Sequence, residues 1–228
     1  MSPSRTSCIE DLAAAIVAAQ PGHPTRVAID GVDGSGKTTL ADELVAPLRR
    51  AGREVVRASI DGFHNPRTVR YARGSDSPEG YFLDSFDCVA LRRELLEPMG
   101  PNGDCKFRTA VFDYRLNRAT EAPLNVAPSD VVLLFDGVFL QREELKDFWD
   151  VTVWVDVPFD ITVERAVARD ALNGVDPVGI RKKYNRRYVP GQRLYMQQCR
   201  PHERASIVFA NADLENPTVR IRQRSSRG

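Results

Sequence analysis

The stretch Arg26-Val27-Ala28-Ile29-Asp30-Gly31-Val32-Asp33-Gly34-Ser35-Gly36-Lys37-Thr38 decides how the chain is read. Its first four residues read as a short strand-forming run with β-branched Val27 and Ile29 that stops at Asp-Gly, as a buried parallel strand ends before a loop. Gly31 to Thr38 then matches G-x-x-x-x-G-K-[ST] in full, and Leu40, Leu44 and Leu48 recur at helical spacing up to a stop at Gly52. Strand, glycine loop and helix in that order turn a string match into a structural expectation. Gly31, Gly34 and Gly36 let successive backbone N–H groups turn inward around a phosphate, and the helix N-terminus adds a favourable dipole. Asp33, Ser35 and Thr39 complete the expected nucleoside triphosphate cradle. Lys37 is expected to neutralise β- and γ-phosphate oxygens, and the Thr38 hydroxyl to ligate Mg²⁺.

Working outward, strand patterns recur at 54–60, 130–135, 151–157 and, more weakly, 206–210, with helical patterns at 86–96, 141–148 and 159–172. The alternation predicts an α/β fold: a doubly wound, mostly parallel five-stranded sheet with helices on both faces. A helix ending near Pro21-Gly22 is expected to fill 1–24. Residues 65–84 and 98–128 are punctuated by Gly and Pro and read as long loops or small hairpins standing off the sheet, within an acceptor-side insertion spanning 62–128. Residues 165–190 read as a basic lid region and 220–228 as a disordered tail, all within one domain of 228 residues.

The 32 Lys and Arg nearly cancel the 31 Asp and Glu, so the net charge of +1 gives no global reason to expect nucleic-acid or membrane binding. The apolar stretch 12–19 is too short to span a bilayer and follows acidic Glu10 and Asp11. Cys8, Cys88, Cys105 and Cys199 have no metal-type spacing and read as reduced thiols of a cytoplasmic protein.

Two further acids follow strand ends. Leu133-Leu134-Phe135-Asp136-Gly137 closes an apolar run on a carboxylate, which beside a phosphate loop makes Asp136 the expected second Mg²⁺ ligand, the alternative being an Asp that starts an ordinary turn. Ser59-Ile60-Asp61-Gly62-Phe63-His64 ends another strand, and ligands of doubly wound sheets collect outside the carboxyl ends of strands. Asp61 is therefore a candidate base for a hydroxyl attacking a γ-phosphate, the alternative being an ordinary Asp-Gly turn. His64 either touches the acceptor or packs beside Phe63. Arg165 and Arg169 share one helix face. Arg67, Arg70, Arg73 and Arg108 would suit an anionic acceptor, though solvent exposure explains them equally well.

Taken in order, "GVDGSGKTTL", "DGFH", "GYFLDSFD", "FDYRLNRA", "LLFDGVF" and "VERAVARD" resemble the uridine kinase and phosphoribulokinase family, which includes pantothenate kinase and related sugar kinases. The resemblance covers about residues 25–212. It implies a P-loop NTPase fold and ATP-dependent, Mg²⁺-assisted phosphorylation of a small-molecule hydroxyl, with Asp61 as base and Arg165 and Arg169 in a lid, Arg169 clamping the transferring phosphate. It also implies ATP and a small molecule as partners, with a homo-oligomer possible. Phe112, Asp113 and Tyr114 match a Tyr-Asp-Phe segment of uridine kinases, Asn117 stands where those enzymes carry a base-contacting His, and Tyr81 or Asp84 matches the acid that holds ribose hydroxyls. The "DGF" triplet is closer to pantothenate and sugar kinases. The expected acceptor is a nucleoside, with pantothenate or a sugar as alternative. A nucleotide-dependent switch would be expected to carry N-K-x-D or an ABC-type signature, and the sequence has neither.

Overall fold

The computed structural model describes residues 4–222. It begins with helix α1 (Arg5–Ala18), capped by Ser4, whose Oγ accepts the Ser7 N–H. Strand β1 (Thr25–Gly31) is buried along its whole length and leads through the glycine loop into α2 (Lys37–Glu43) and α3 (Val45–Arg50). The leucine repeat predicts one helix here. Pro47 has no N–H to bond the residue 43 carbonyl, and the helix divides at Leu44. Strand β2 (Val55–Ser59) runs into a 3-10 turn, Ile60–Phe63.

The stretch 65–84, expected as loop or hairpin, holds α4 (Arg67–Arg70) and α5 (Pro78–Asp84). Ser77 caps α5, its Oγ accepting the Gly80 N–H at 3.0 Å, and Pro78 sits in the first turn where an N–H is not needed. This Ser-Pro start signal is masked by the surrounding Gly, Arg and Tyr. α6 (Cys88–Leu91) continues into a wider π-type turn, Arg92–Leu96. Strands β3 (Lys106–Phe107), β4 (Phe112–Asp113), β5 (Arg118–Ala119) and β6 (Asn125–Val126) pair as β3 with β6 and β4 with β5, the small hairpins expected. Phe82, Phe86, Leu91, Leu95 and Phe107 lie in the main core, so much of the insertion packs on the sheet rather than standing off it.

Strand β7 (Val132–Gly137) is followed by turns and one 3-10 turn, Lys146–Phe148, where the spacing predicts a helix over 141–148. Phe139 turns the chain at φ +66°, and the Gln141 N–H donates to the Tyr195 hydroxyl at 2.9 Å instead of to a helical carbonyl. The apolar spacing there serves packing, not a helix. The chain continues through β8 (Val151–Asp156), α7 (Phe159–Leu172), α8 (Pro177–Lys183) and a π-type turn, Tyr184–Tyr188. It ends with α9 (Val189–Cys199), α10 (Pro201–Arg204), β9 (Ile207–Ala210) and β10 (Thr218–Ile221).

The sheet order is β10-β9-β8-β1-β7-β2, parallel throughout except that β10 runs antiparallel to β9. It thus has six strands, not five. Arg220 and Ile221, expected in a disordered tail, belong to β10, which covers the outer edge of β9; Arg222, also expected there, donates its N–H to the Ser206 carbonyl at 2.8 Å, and 223–228 lie outside the described residues. Val27 and Ile29 face a core built with α1, α2 and α3, while Ala28 faces the opposite core with Phe135 and Trp154. Among the described residues no helix is long and apolar enough to cross a membrane.

Register puts Asp136 of β7 beside Ile29 of β1 and Ser59 of β2, so the loops after these three strands open on one crevice. Helix α9 backs that crevice and meets α5 closely: a Cβ on Gly191 would lie 2.8 Å from the Pro78 carbonyl oxygen and 2.9 Å from the Tyr81 ring. Gly191→Ala is expected to push the two helices apart at a cost of about 1–3 kcal/mol. A thermal melt checks this, and an unchanged Tm would show that the helices separate freely.

Candidate active site

The glycine loop keeps its backbone close to neighbouring elements. Gly34 has φ +77°, and a Cβ there would sit 2.4 Å from the Thr162 carbonyl oxygen of α7. Lys37 is buried, and its Nζ donates to the Val32 carbonyl at 2.7 Å. Burial lowers its pKa, against the opposing pull of Asp33, Asp30, Asp136 and Asp61. Asn211, directly after β9, clamps the loop from behind: its Nδ2 donates to the Ser35 carbonyl at 2.8 Å and its Oδ1 accepts from Arg5 at 2.9 Å.

Three of those four carboxylates are held by donors. Asp30 accepts the Gly31 N–H at 2.8 Å, the Gln141 amide at 3.3 Å and the Tyr195 hydroxyl. Burial pushes its pKa up to about 6, so its ionisation above that pH costs stability. Asp33 accepts the Tyr81 hydroxyl at 2.7 Å and the Gln192 amide at 2.9 Å. Asp136, buried, accepts the Thr38 hydroxyl at 2.8 Å and Arg57 at 3.0 Å. The Asp61 carboxylate alone accepts no hydrogen bond from the described residues; His64 Nδ1 stands 3.9 Å away. Over half of the Asp61 side chain is open to the cleft. Desolvation by the surrounding walls and the charges of Asp33 and Asp136 nevertheless raise its pKa.

Asp33, Gly34, Gly36, Lys37, Thr38, Thr39, Asp61 and Asp136 all line one cleft of about 720 Å³. Gly31 and Ser35 do not; Ser35 is buried beneath the loop. Of the acceptor candidates, His64, Tyr81 and Tyr114 line the same cleft. His64 lies between Phe86 (centroids 4.6 Å apart) and Tyr114 (4.7 Å, nearly parallel), with Nδ1 3.1 Å from the Asp61 carbonyl oxygen. Burial lowers its pKa to about 4, so the imidazole is neutral at neutral pH. The other three do not line it. Asp84 pairs with Arg73 at 2.7 Å, Asn117 accepts the Arg67 backbone N–H at 2.8 Å, and Phe112 is buried in β4. Tyr81 reaches the cleft with its hydroxyl already committed to Asp33.

On α7, within the region expected as a lid, Arg169 lines the cleft and bonds Asp170 at 2.8 Å. Arg165 also lines it, but its guanidinium donates to the Asn211 and Ala212 carbonyls and so props the loop after β9. Tyr184 and Tyr188 join the lining without having been singled out from sequence; Asn211, Gln192 and Arg57, also not singled out, lie outside the lining and support it through the Ser35 carbonyl, Asp33 and Asp136. Asn211 had a readable signal, a polar residue at the carboxyl end of a parallel strand. Gln192 and Arg57 had none.

Thr38 and Asp136 present hard oxygen atoms side by side at the end of the phosphate loop. That donor set fits Mg²⁺, which takes one or two protein oxygens and completes its shell with water and phosphate. Gly34→Ala is expected to raise the dissociation constant for ATP at least about tenfold, because the added methyl meets α7 backbone at a left-handed position. Titration with ATP, alongside a far-ultraviolet spectrum to show the fold intact, measures it; wild-type affinity would contradict the loop assignment.

Residues 27–213 match the model of the Phosphoribulokinase / Uridine kinase family. A uridine kinase of Leuconostoc citreum is 29% identical over 153 residues, 64% of this chain and 69% of its own. A uridine kinase of Brevibacillus brevis is 24% identical over 152 residues, 65% and 67% of the two chains. The structure of a possible uridine kinase from Bacillus stearothermophilus superposes with a TM-score of 0.69 at 25% identity, covering 88% of this chain and 96% of its own. Sheet, phosphate loop and family match agree: the chain belongs to the phosphoribulokinase / uridine kinase family, P-loop phosphotransferases that use a nucleotide and act on a hydroxyl group.

Proposed function

We propose that the protein transfers the γ-phosphoryl group of ATP to a hydroxyl of a nucleoside, with Asp61 as the base. The observation that carries this reading is the unshared Asp61 carboxylate. It opens on the same cleft as Lys37, Thr38 and Asp136, beside the aromatic wall of His64, Phe86 and Tyr114. A carboxylate already bonded to tyrosine or arginine, like the other three, is a poor proton acceptor; Asp61 is free to take one. It accepts the hydroxyl proton as the acceptor oxygen bonds to the γ-phosphorus, and the bond from that phosphorus to the β–γ bridging oxygen breaks, releasing ADP. Lys37 and Arg169 carry charge on the transferring group. Mg²⁺, held by Thr38 and Asp136 when bound, neutralises the phosphate oxygens. The aromatic wall offers a flat ligand stacking surfaces and excludes water. Work on cytoplasmic small molecules belongs to the same proposal, and the four free cysteines suit a reducing compartment.

One observation favours a second reading, a pantothenate or sugar acceptor. Asp84 and Asn117 bond Arg73 and the Arg67 N–H, and the Tyr81 hydroxyl bonds Asp33. The polar groups that the family resemblance assigns to ribose and base are therefore engaged within the protein. ADP release measured with uridine, cytidine, pantothenate and simple sugars decides between the readings. Stimulation by a nucleoside supports the first, and response only to another compound supports the second.

Asp61→Asn is expected to lower kcat on the stimulating acceptor on the order of 10²-fold. Because the Asp61 pKa is raised, the wild-type acid limb of kcat/KM should lie above the ordinary aspartate range, activity falling as protonation removes the base. That limb should vanish in the variant. Full activity of Asp61→Asn would overturn the base assignment.

A further inference from the structure

The lid contains a buried cation for which the proposed chemistry has no use. Arg187, on the turn Tyr184–Tyr188, is 2% exposed, yet its partners are carbonyls and rings rather than a carboxylate. Nη2 donates to the Arg70 carbonyl at 2.8 Å, and Nη1 to those of Gly74 at 3.1 Å, Ser77 at 3.1 Å and Ser75 at 3.4 Å. The guanidinium lies 4.6 Å from the centre of the Tyr71 ring and 5.8 Å from that of Tyr81. Burying a charge without a counter-ion is costly, and only several hydrogen bonds together offset it. The planar fork of an arginine supplies them at once to a turn that a lysine could satisfy only in part.

The turn 70–77 has few bonds of its own: Gly74 N–H to Tyr71 at 2.9 Å and Ser77 N–H to Gly74 at 3.3 Å. Besides the Arg73–Asp84 and Arg186–Asp76 pairs at its surface, Arg187 gives it four carbonyl contacts from the buried side. The turn leads directly into α5, whose Tyr81 bonds Asp33 in the phosphate loop, while Tyr184 and Tyr188 on either side of Arg187 line the cleft. The Tyr188 ring also lies 4.7 Å from the Tyr81 ring. Arg187, touching no substrate, is thus the buried tie between the acceptor-side insertion and the lid beside the phosphate loop, next to an exposed Arg186–Asp76 ion pair at 3.2 Å.

We infer that Arg187 is a positioning residue that fastens the acceptor-side turn 70–77 to the lid, so that both segments respond together when nucleotide binds. The inference rests on reading the cleft as a nucleotide and acceptor site, and the experiment separates the two. Backbone hydrogen exchange is followed by mass spectrometry on the full chain, with and without Mg²⁺ and a non-hydrolysable ATP analogue, whose binding is measured in the same samples. In the wild type, amides of 70–77 and 184–188 should slow together on binding. In Arg187→Met, 70–77 should exchange at least about tenfold faster and lose its response, while the lid keeps its own. Arg187→Lys should fall between the two.

Tyr71→Leu, which removes the ring beneath the guanidinium at a half-exposed site, serves with Arg187→Lys should Arg187→Met not fold; both should weaken the joint response. Once an acceptor is known, Arg187→Met should raise its KM about tenfold while the KM for ATP moves less than about threefold, a split that general loss of stability does not produce. A turn that ignores nucleotide in the wild type, or a joint response kept by Arg187→Met, overturns the inference. Absence of analogue binding would instead count against the proposed function. The fastening is then read from ligand-free exchange, where unchanged protection of 70–77 in Arg187→Met overturns it.

Discussion

Four carboxylates converge on one ammonium group. Asp30, Asp33, Asp61 and Asp136 all act on the buried Lys37, and like charges at such spacing in a protein interior repel strongly unless each is held by donors or cations. The fold meets that constraint from outside the glycine loop. Tyr195 and Gln141 hold Asp30, Tyr81 and Gln192 hold Asp33, and Arg57 and Thr38 hold Asp136. These donors come from β2, α5, α9, the segment after β7 and the start of α2, so the sheet and its covering helices are fixed in part by the need to keep negative charge in place around the phosphate loop. Among the described residues Asp61 is the member left without a donor, and it lines the open cleft.

The same network joins the insertion at 62–128 to the phosphate loop. Tyr81 of α5 bonds the phosphate loop; Gln192 does the same from α9. The close approach of Gly191 to α5 is what permits this, since the two helices must lie near each other for both side chains to reach one aspartate. The donors that steady Asp33 thereby fix one wall of the cleft.

Much of this was legible in the sequence. Gly31 to Thr38 announced itself, and the apolar runs ending at Gly31, at Ser59 and in Asp136-Gly137 placed three chemical segments at one sheet edge, where the structure has them. What escaped had physical reasons. Strand β10 offers four residues at a sheet edge, too few for a periodic signal. The 141–148 stretch carries apolar spacing because Leu145 and Phe148 pack, but the chain enters it through a left-handed Phe139 and the Gln141 N–H bonds Tyr195, so only turns form. Tyr81 read as an acceptor contact because the family resemblance places it, with Asp84, near the acid that holds ribose hydroxyls, and its hydroxyl partner is 48 residues away in sequence. Asp84 and Asn117 carried suitable chemistry at suitable positions, yet a salt bridge and a backbone N–H claimed them, and such pairings leave no trace in a string.

The proposed transfer is to carbon-bound oxygen rather than to water. Phosphorus-31 NMR of the products formed from Mg-ATP and a stimulating acceptor tests this most directly. The account predicts a new phosphate monoester resonance rising one for one with ADP, with little inorganic phosphate. ADP accompanied by inorganic phosphate alone, whatever acceptor is supplied, would contradict it.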